Sequence, residues 1–135
     1  MSTSAEVSAR IVVADDVAII RASVGNLLAC NPAWEVCGEA CDGQEAVEKV
    51  RNLKPDVIVL DLRMPGMNGF AAARKIREVS PATKIVIFSM DDREEISDMA
   101  QQAGADAYVS KGEEPSSLIN AIKRLVEMKR SGEAS

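Results

Sequence analysis

The sequence predicts an α/β fold, a doubly wound parallel sheet of five strands alternating with five helices. Two observations carry most of that prediction. Short aliphatic runs, among them Ile11-Val12-Val13-Ala14, Val57-Ile58-Val59-Leu60 and Ile85-Val86-Ile87-Phe88, are separated by stretches whose apolar residues return at helical spacing. The composition, 47% hydrophobic but only 3% aromatic, suits strands of Val, Ile, Leu and Ala covered by helices on both faces. A third observation concerns chemistry. Asp15-Asp16, Asp61, Ser89 and Lys111 each stand at or just past the end of a predicted strand. In parallel α/β sheets the carboxyl ends of the strands line one crevice, so residues placed there converge despite long separations in sequence.

The elements follow in order. Residues 1–9 are small and polar and read as a flexible leader, and Ile11–Ala14 is the first strand. Val17–Asn31 carries the stripe Ile20, Val24, Leu27 and Leu28, and Asn31-Pro32 stops it because a residue before proline is pushed out of the α region. Trp34–Glu39 reads as the second strand; Gly43–Leu53 repeats the helical period through Ala46, Val47, Val50 and Leu53 and ends at Lys54-Pro55. Behind the third strand, Val57–Leu60, the segment from Arg63 to Gly69 is dense in turn residues. Phe70–Val79 is the third helix, closed by Ser80-Pro81, and Lys84–Phe88 the fourth strand. Arg93–Gln102 places Ile96, Met99, Ala100 and Ala103 on one side, with Gly104 as the stop. Ala107–Val109 is the fifth strand. Ser116–Met128, with Leu118, Ile119, Ile122, Leu125 and Val126, is the last helix, and 129–135 reads as a second flexible tail.

At 135 residues the chain is most simply one domain, without internal repeats. A formal charge of −5 and a pI near 4.8 argue against this domain holding nucleic acid through phosphate contacts. There is no run of apolar residues long enough to span a membrane and no signal-peptide pattern, which points to a cytoplasmic location. Cys30, Cys37 and Cys41 make at most an incomplete zinc site and read as free thiols in a reducing compartment. The absence of histidine excludes Ser-His, Cys-His or His-metal chemistry from this chain.

Each candidate site residue has a plain reading beside the chemical one. Asp15-Asp16 can cap the first helix, or ligate a hard divalent cation such as Mg²⁺. Asp61 is poorly explained as a cap, since the third helix starts only around Gly69; at that position a carboxylate can attack a phosphoryl group. Ser89 is either a turn residue or a hydrogen-bond donor to a phosphoryl oxygen, and Lys111 either a solvated charge or a counter-charge. Three carboxylates brought together repel by about 4 kcal/mol per close pair at an effective dielectric near 20. A lysine and a bound cation are what let all of them stay ionised.

These residues sit in the phrases Val-Val-Ala-Asp-Asp, Val-Leu-Asp-Leu-Arg-Met-Pro-Gly-Met-Asn-Gly, Ile-Phe-Ser-Met and Gly-Ala-Asp-Ala-Tyr-Val-Ser-Lys. As a set they closely resemble the receiver domain of bacterial response regulators, over residues 10–128. The resemblance implies the flavodoxin-like receiver fold with strand order 2-1-3-4-5, an order for which receivers are themselves a standard example. It implies that Asp61 takes a phosphoryl group from the phosphohistidine of a sensor histidine kinase. Mg²⁺, with Mn²⁺ able to substitute, would be held by Asp16 and Asp61, by Asp15 through water, and by the Arg63 backbone carbonyl. Lys111 would pair with the phosphoryl oxygens, Ser89 and Tyr108 would form the switch, and Arg63 and Asp91, paired with each other, would tune phosphoryl lifetime. The fourth helix, fifth strand and fifth helix would then signal to an output domain or downstream protein, a homodimer on activation being one mode. No enzyme activity is implied beyond self-catalysed phosphoryl transfer and autodephosphorylation.

The Ser89-Met90 pair and the acids after it resemble receivers that precede a helix-turn-helix DNA-binding domain. One departure stands out: Gly112 follows Lys111 where many receivers have proline after a cis peptide. A cis bond before a non-proline residue costs about 2.5–4 kcal/mol, so a trans bond, or a strained cis one, is expected. Three rivals remain. A phosphohydrolase of the haloacid-dehalogenase type resembles Asp-x-Asp after its first strand, whereas here Arg63 stands two residues past Asp61. A nucleotide-binding module lacks both glycine-rich phosphate loops. A receiver-like scaffold that is no longer phosphorylated is the third.

Overall fold

A computed structural model describes residues 7–91 and 93–134, with side chains through Lys129. The elements are β1 (Ala9–Ala14), α1 (Ala18–Leu28), β2 (Trp34–Ala40), α2 (Gly43–Leu53), β3 (Val57–Leu60), α3 (Gly69–Val79), β4 (Lys84–Ser89), α4 (Glu94–Gln102), β5 (Ala107–Ser110) and α5 (Pro115–Ala134). The five strands form one sheet in the order β2-β1-β3-β4-β5, as the resemblance implied. Every neighbouring pair is parallel.

Alternation along the strands divides the core in two, because successive side chains point to opposite faces of a sheet. Val12, Ala14, Ile58, Leu60, Ile85 and Ile87 meet Ala46, Val47 and Val50 of α2, Ala72, Ala73 and Ile76 of α3, and Ile96 and Ala100 of α4. Ile11, Val13, Val57, Val59, Val86 and Val109 meet Val24 and Leu28 of α1 and Leu118, Ile122 and Leu125 of α5. Each such aliphatic side chain contributes about 1.5–3 kcal/mol by leaving water. This is why the strands read as unbroken apolar runs.

Local chemistry sets the helix ends. At α2 the Asp42 carboxylate accepts from Glu45 N at 2.8 Å, while Glu45 Oε1 reaches back to Cys41 N at 2.8 Å. Asn68 caps α3 through Ala71 N at 3.0 Å. Lys54 ends α2 with φ 48°, the left-handed region, immediately before Pro55. The outer strand β2 skips a residue against β1: Ile11 pairs with Val36 but Val12 with Gly38, leaving Cys37 as a bulge.

The largest departures from the sequence expectation are in α1 and α5. Helix α1 stops at Leu28 instead of Asn31, because the chain turns earlier, with Cys30 N donating to Leu27 O and Asn31 Oδ1 accepting from Ala33 N. Helix α5 begins at Pro115, a favoured first position, and runs to Ala134, so residues 129–134, expected as a flexible tail, continue the helix. Lys129 Nζ lies 2.9 Å from Asp56 Oδ1. Gly132 inside the last turns lowers helix propensity by only about 1 kcal/mol relative to alanine, so it does not end the helix. The leader is corrected in part: Ala9 already belongs to β1, and Ser8 N donates to Ala33 O at 2.7 Å. Its residues 1–6 lie outside the described residues, as does Ser135. Among the described residues no helix is long and apolar enough to cross a membrane.

Candidate functional site

Strands β1, β3, β4 and β5 all point their carboxyl ends at one edge of the sheet, and each delivers a polar residue there. Ala14 and Leu60 are in register, so Asp15 and Asp61, the next residues, emerge side by side. Their backbones are pinned by continuing ladder bonds, Asp61 N to Ala14 O and Asp15 N to Ala40 O, both 3.0 Å. The carboxylate oxygens of Asp15, Asp16 and Asp61 lie within 4.8 Å of one another. Asp15 and Asp61 are buried, at 3% and 7% exposure, while Asp16 faces solvent.

Lys111 closes the group from β5. Its Nζ donates to Asp15 Oδ2 at 2.7 Å and lies 3.6 Å from Asp61 Oδ1. The ammonium sits 5.8 Å from the Phe88 ring centre, and Lys111 N donates to Ser89 O at 2.7 Å. The two halves of the crevice are thereby joined. Burial pushes the Asp61 carboxyl above the usual carboxylate range; Lys111 opposes the shift and the Asp15 charge adds to it. Three carboxylates face one ammonium, so the group carries more formal negative than positive charge. Clustered, partly buried carboxylate oxygens with residual negative charge fit a hard divalent cation such as Mg²⁺.

The capping explanation for the acid pair fails. The N-cap of α1 is Val17, without a side-chain bond, and Asp15 Oδ1 accepts from Val17 N, ahead of the helix. Gly69 matters through contact: a Cβ there would stand 2.5 Å from Asp61 O and 2.7 Å from Leu62 Cα. Only glycine lets α3 start this close behind the Asp61 turn.

Ser89 ends β4 at 1% exposure, and its Oγ accepts from Asp91 N at 3.3 Å. Tyr108, on β5, packs against the side of the core shared by α2, α3 and α4 and lines a cavity of about 160 Å³ with Ser97, Ala100 and Ala105. The expected Arg63–Asp91 pair is not formed. Asp91 is clasped instead by Arg93, whose Nη2 and Nε donate at 2.7 and 3.0 Å, and the guanidinium pulls the Asp91 carboxyl down to about 2. Arg93 is two residues from Asp91 and closes a far shorter loop than Arg63 would, which favours it entropically. Arg63 and the Asp91–Arg93 pair line a cleft of about 510 Å³ beside the acids, with Phe70 and Met99.

At Lys111–Gly112 the peptide is trans, since no cis bond occurs among the described residues. The turn is held by Ser110 and Glu113: Gly112 N donates to Ser110 Oγ at 3.1 Å and Ser110 N to Glu113 Oε2 at 3.2 Å. Two residues escaped sequence reading. Arg21 of α1 donates through Nη1 to Asp15 O at 2.8 Å and through Nε to Glu39 Oε1 at 3.1 Å. It and Arg93 stood in the sequence as polar helix positions, and no local signal distinguishes them from solvated ones.

Comparison with known proteins agrees with this geometry. The family model described as the response regulator receiver domain matches residues 11–123. The nitrate/nitrite response regulator protein NarL of Escherichia coli K12 is 41% identical over 114 residues, covering 84% of this chain and 53% of NarL. The chemotaxis protein CheY of Thermotoga maritima is 34% identical over 116 residues, covering 86% of this chain and 96% of CheY. A LuxR-family two-component response regulator from Aurantimonas sp. SI85-9A1 superposes with a TM-score of 0.85 at 37% identity, covering 88% of this chain and 85% of that one. The chain spans about half the length of the NarL-type relatives it matches. With the sheet order, the converging acids and these matches together, the chain belongs to the response regulator receiver domains, the phospho-accepting signalling modules of two-component systems.

Proposed function

We propose that Asp61 is the phospho-acceptor and that Asp16 and Asp61 hold Mg²⁺ (or Mn²⁺) through carboxylate oxygens, with Asp15 acting through water and the Arg63 carbonyl completing the protein ligands. The observation that carries this is the clustering of the three carboxylates within 4.8 Å beside the Lys111 ammonium, 2.7 Å from Asp15. An Asp61 oxygen attacks the phosphorus of the kinase phosphohistidine, the P–N bond breaks, and its electron pair leaves with the imidazole, which takes up a proton. When bound, Mg²⁺ supplies charge neutralisation and orientation for the transferring group. Lys111 shifts from Asp15 toward the phosphoryl oxygens, and the Ser89 hydroxyl donates to another of them.

The added dianion biases a pre-existing equilibrium. Ser89 moving toward the phosphoryl group opens space for Tyr108 to turn inward, which changes the surface formed by α4, β5 and α5. Arg63 and Asp91 stand at the mouth and tune phosphoryl lifetime, with Arg93 governing how Asp91 is presented. The partners are a sensor histidine kinase and an output module. The half of the NarL-type relatives that this chain does not cover is where an output domain would lie.

Incubation with Mg²⁺ and acetyl phosphate, or a phosphorylated kinase, tests the assignment by mass. The expected result is one labile, hydroxylamine-sensitive phosphoryl group that Asp61→Asn abolishes. Phosphorylation surviving in Asp61→Asn moves the acceptor elsewhere, and turnover of many equivalents of a phosphate ester makes the chain a hydrolase.

A further inference from the structure

Adjacent acids in this site are held in opposite ways. Asp15 is fixed at every polar atom: its N–H donates to Ala40 O, Oδ1 accepts from Val17 N, Oδ2 from Lys111 Nζ, and its carbonyl oxygen from Arg21 Nη1. Among the described residues the Asp16 carboxylate accepts no hydrogen bond and joins no ion pair. The aim of Asp16 therefore depends on the peptide that precedes it. That peptide is planar, so whatever holds the Asp15 carbonyl oxygen also fixes the direction in which the chain enters Asp16.

Arg21 is what holds it. Its side chain is 19% exposed and spans from α1 to both the acid turn and β2. Glu39 Oε1 accepts from Nε at 3.1 Å, which orients the rigid guanidinium so that Nη1 donates to the Asp15 carbonyl oxygen at 2.8 Å. A guanidinium that merely pinned α1 to β2 would need Glu39 alone. The second bond, into the acid turn, is the informative one.

We propose that Arg21 is a positioning residue for the divalent-cation seat, clamping the Asp15–Asp16 peptide so that the Asp16 carboxylate is presented toward Asp61, with Glu39 steering the clamp. The inference rests on the reading of Asp16 and Asp61 as Mg²⁺ ligands. Residues that orient metal ligands from behind characteristically alter metal affinity about tenfold or more when removed.

Calorimetric titration of the full chain with Mg²⁺ tests it, using wild type, Asp16→Asn, Arg21→Ala, Arg21→Lys and Glu39→Gln, alongside phosphorylation by acetyl phosphate as a function of Mg²⁺. Arg21→Ala is expected to raise the Mg²⁺ dissociation constant about tenfold, with the phosphorylation rate recovering at saturating Mg²⁺. Arg21→Lys, which keeps a cation and a donor but loses the fork, should fall between it and wild type, and Glu39→Gln should show a smaller loss of the same kind. A folded Arg21→Ala protein with the wild-type Mg²⁺ constant overturns the proposal, even if its unfolding temperature drops. If Arg21→Ala does not fold, Arg21→Lys decides: a weakened Mg²⁺ constant supports the clamp and an unchanged one removes it. No Mg²⁺ binding by wild type, or wild-type binding by Asp16→Asn, defeats the metal-site reading and this inference with it. Normal behaviour of those two beside unaltered Arg21 variants defeats this inference alone.

Discussion

Helices α3 and α4 cover the same face of the sheet, yet they are secured very differently. α3 buries Gly69, Ala72, Ala73 and Ile76, is capped by Asn68, and carries Arg77 in its last turn. That guanidinium ties Pro81 O, Gly104 O and Asp106 Oδ2 together at 2.6–2.8 Å. α4 buries only Ile96 and Ala100, and its N-cap, Arg93, makes no side-chain cap bond. The tightly held helix follows the Asp61 turn, and the loosely held one follows Ser89 and borders Tyr108. Segments that move in switching are drawn from the low-stability end of a structure, while ligating groups need a scaffold that does not yield. The molecule separates the two demands by strand.

The sharpest test of that contrast is a matched pair of truncations. Ile76→Ala, at a fully buried position on α3, should lower unfolding stability by about 4 kcal/mol, and Ile96→Ala on α4 by about 2 kcal/mol, the difference reflecting how far each site can relax. Urea denaturation measures both, and equal losses would remove the distinction between the helices. Next in size, Gly69→Ala forces a methyl group onto Asp61 O and should cost about 2–3 kcal/mol, read the same way. A neutral effect would mean that the α3 entry is free to shift.

The smallest effect is electrostatic. The folded-state pKa of Asp61 is raised, so the native state holds that proton more tightly than the unfolded chain does. Its contribution is then most favourable at low pH, starts to fall as pH rises past the ordinary aspartate value of about 4, and is fully lost above the raised one. Without divalent cations, Asp61→Asn should therefore be more stable than wild type at pH 7, and the gain should shrink toward pH 4. Thermal unfolding in chelator at several pH values checks the sign, and a variant less stable at neutral pH would show that Lys111 already outweighs burial.

Much of this was legible from sequence because it depends on local pattern. Aliphatic runs such as Val57–Leu60 can only be strands covered on both faces, and the residues at their ends had to meet once those strands lay parallel. What stayed hidden was the choice of partner by long side chains. Asp91 could have paired with Arg63 or Arg93, and only the folded turn decides. Arg21 reads as an ordinary polar helix position until α1 docks over Asp15 and Glu39. The ends of α1 and α5 differ because Asn31-Pro32 looks decisive in sequence and the apolar stripe of α5 stops at Val126, whereas the turn after Leu28 and the continuing backbone of α5 set the limits.

The skipped residue at Cys37 has a consequence for life in a crowded cell. Strand β2 is an outer strand seven residues long, a length at which exposed amide and carbonyl groups invite another copy to dock and extend the sheet indefinitely. The bulge twists that border and breaks the even spacing a visiting strand would have to match. A single skipped residue thus makes this border of the sheet a poor template for a second copy of the chain.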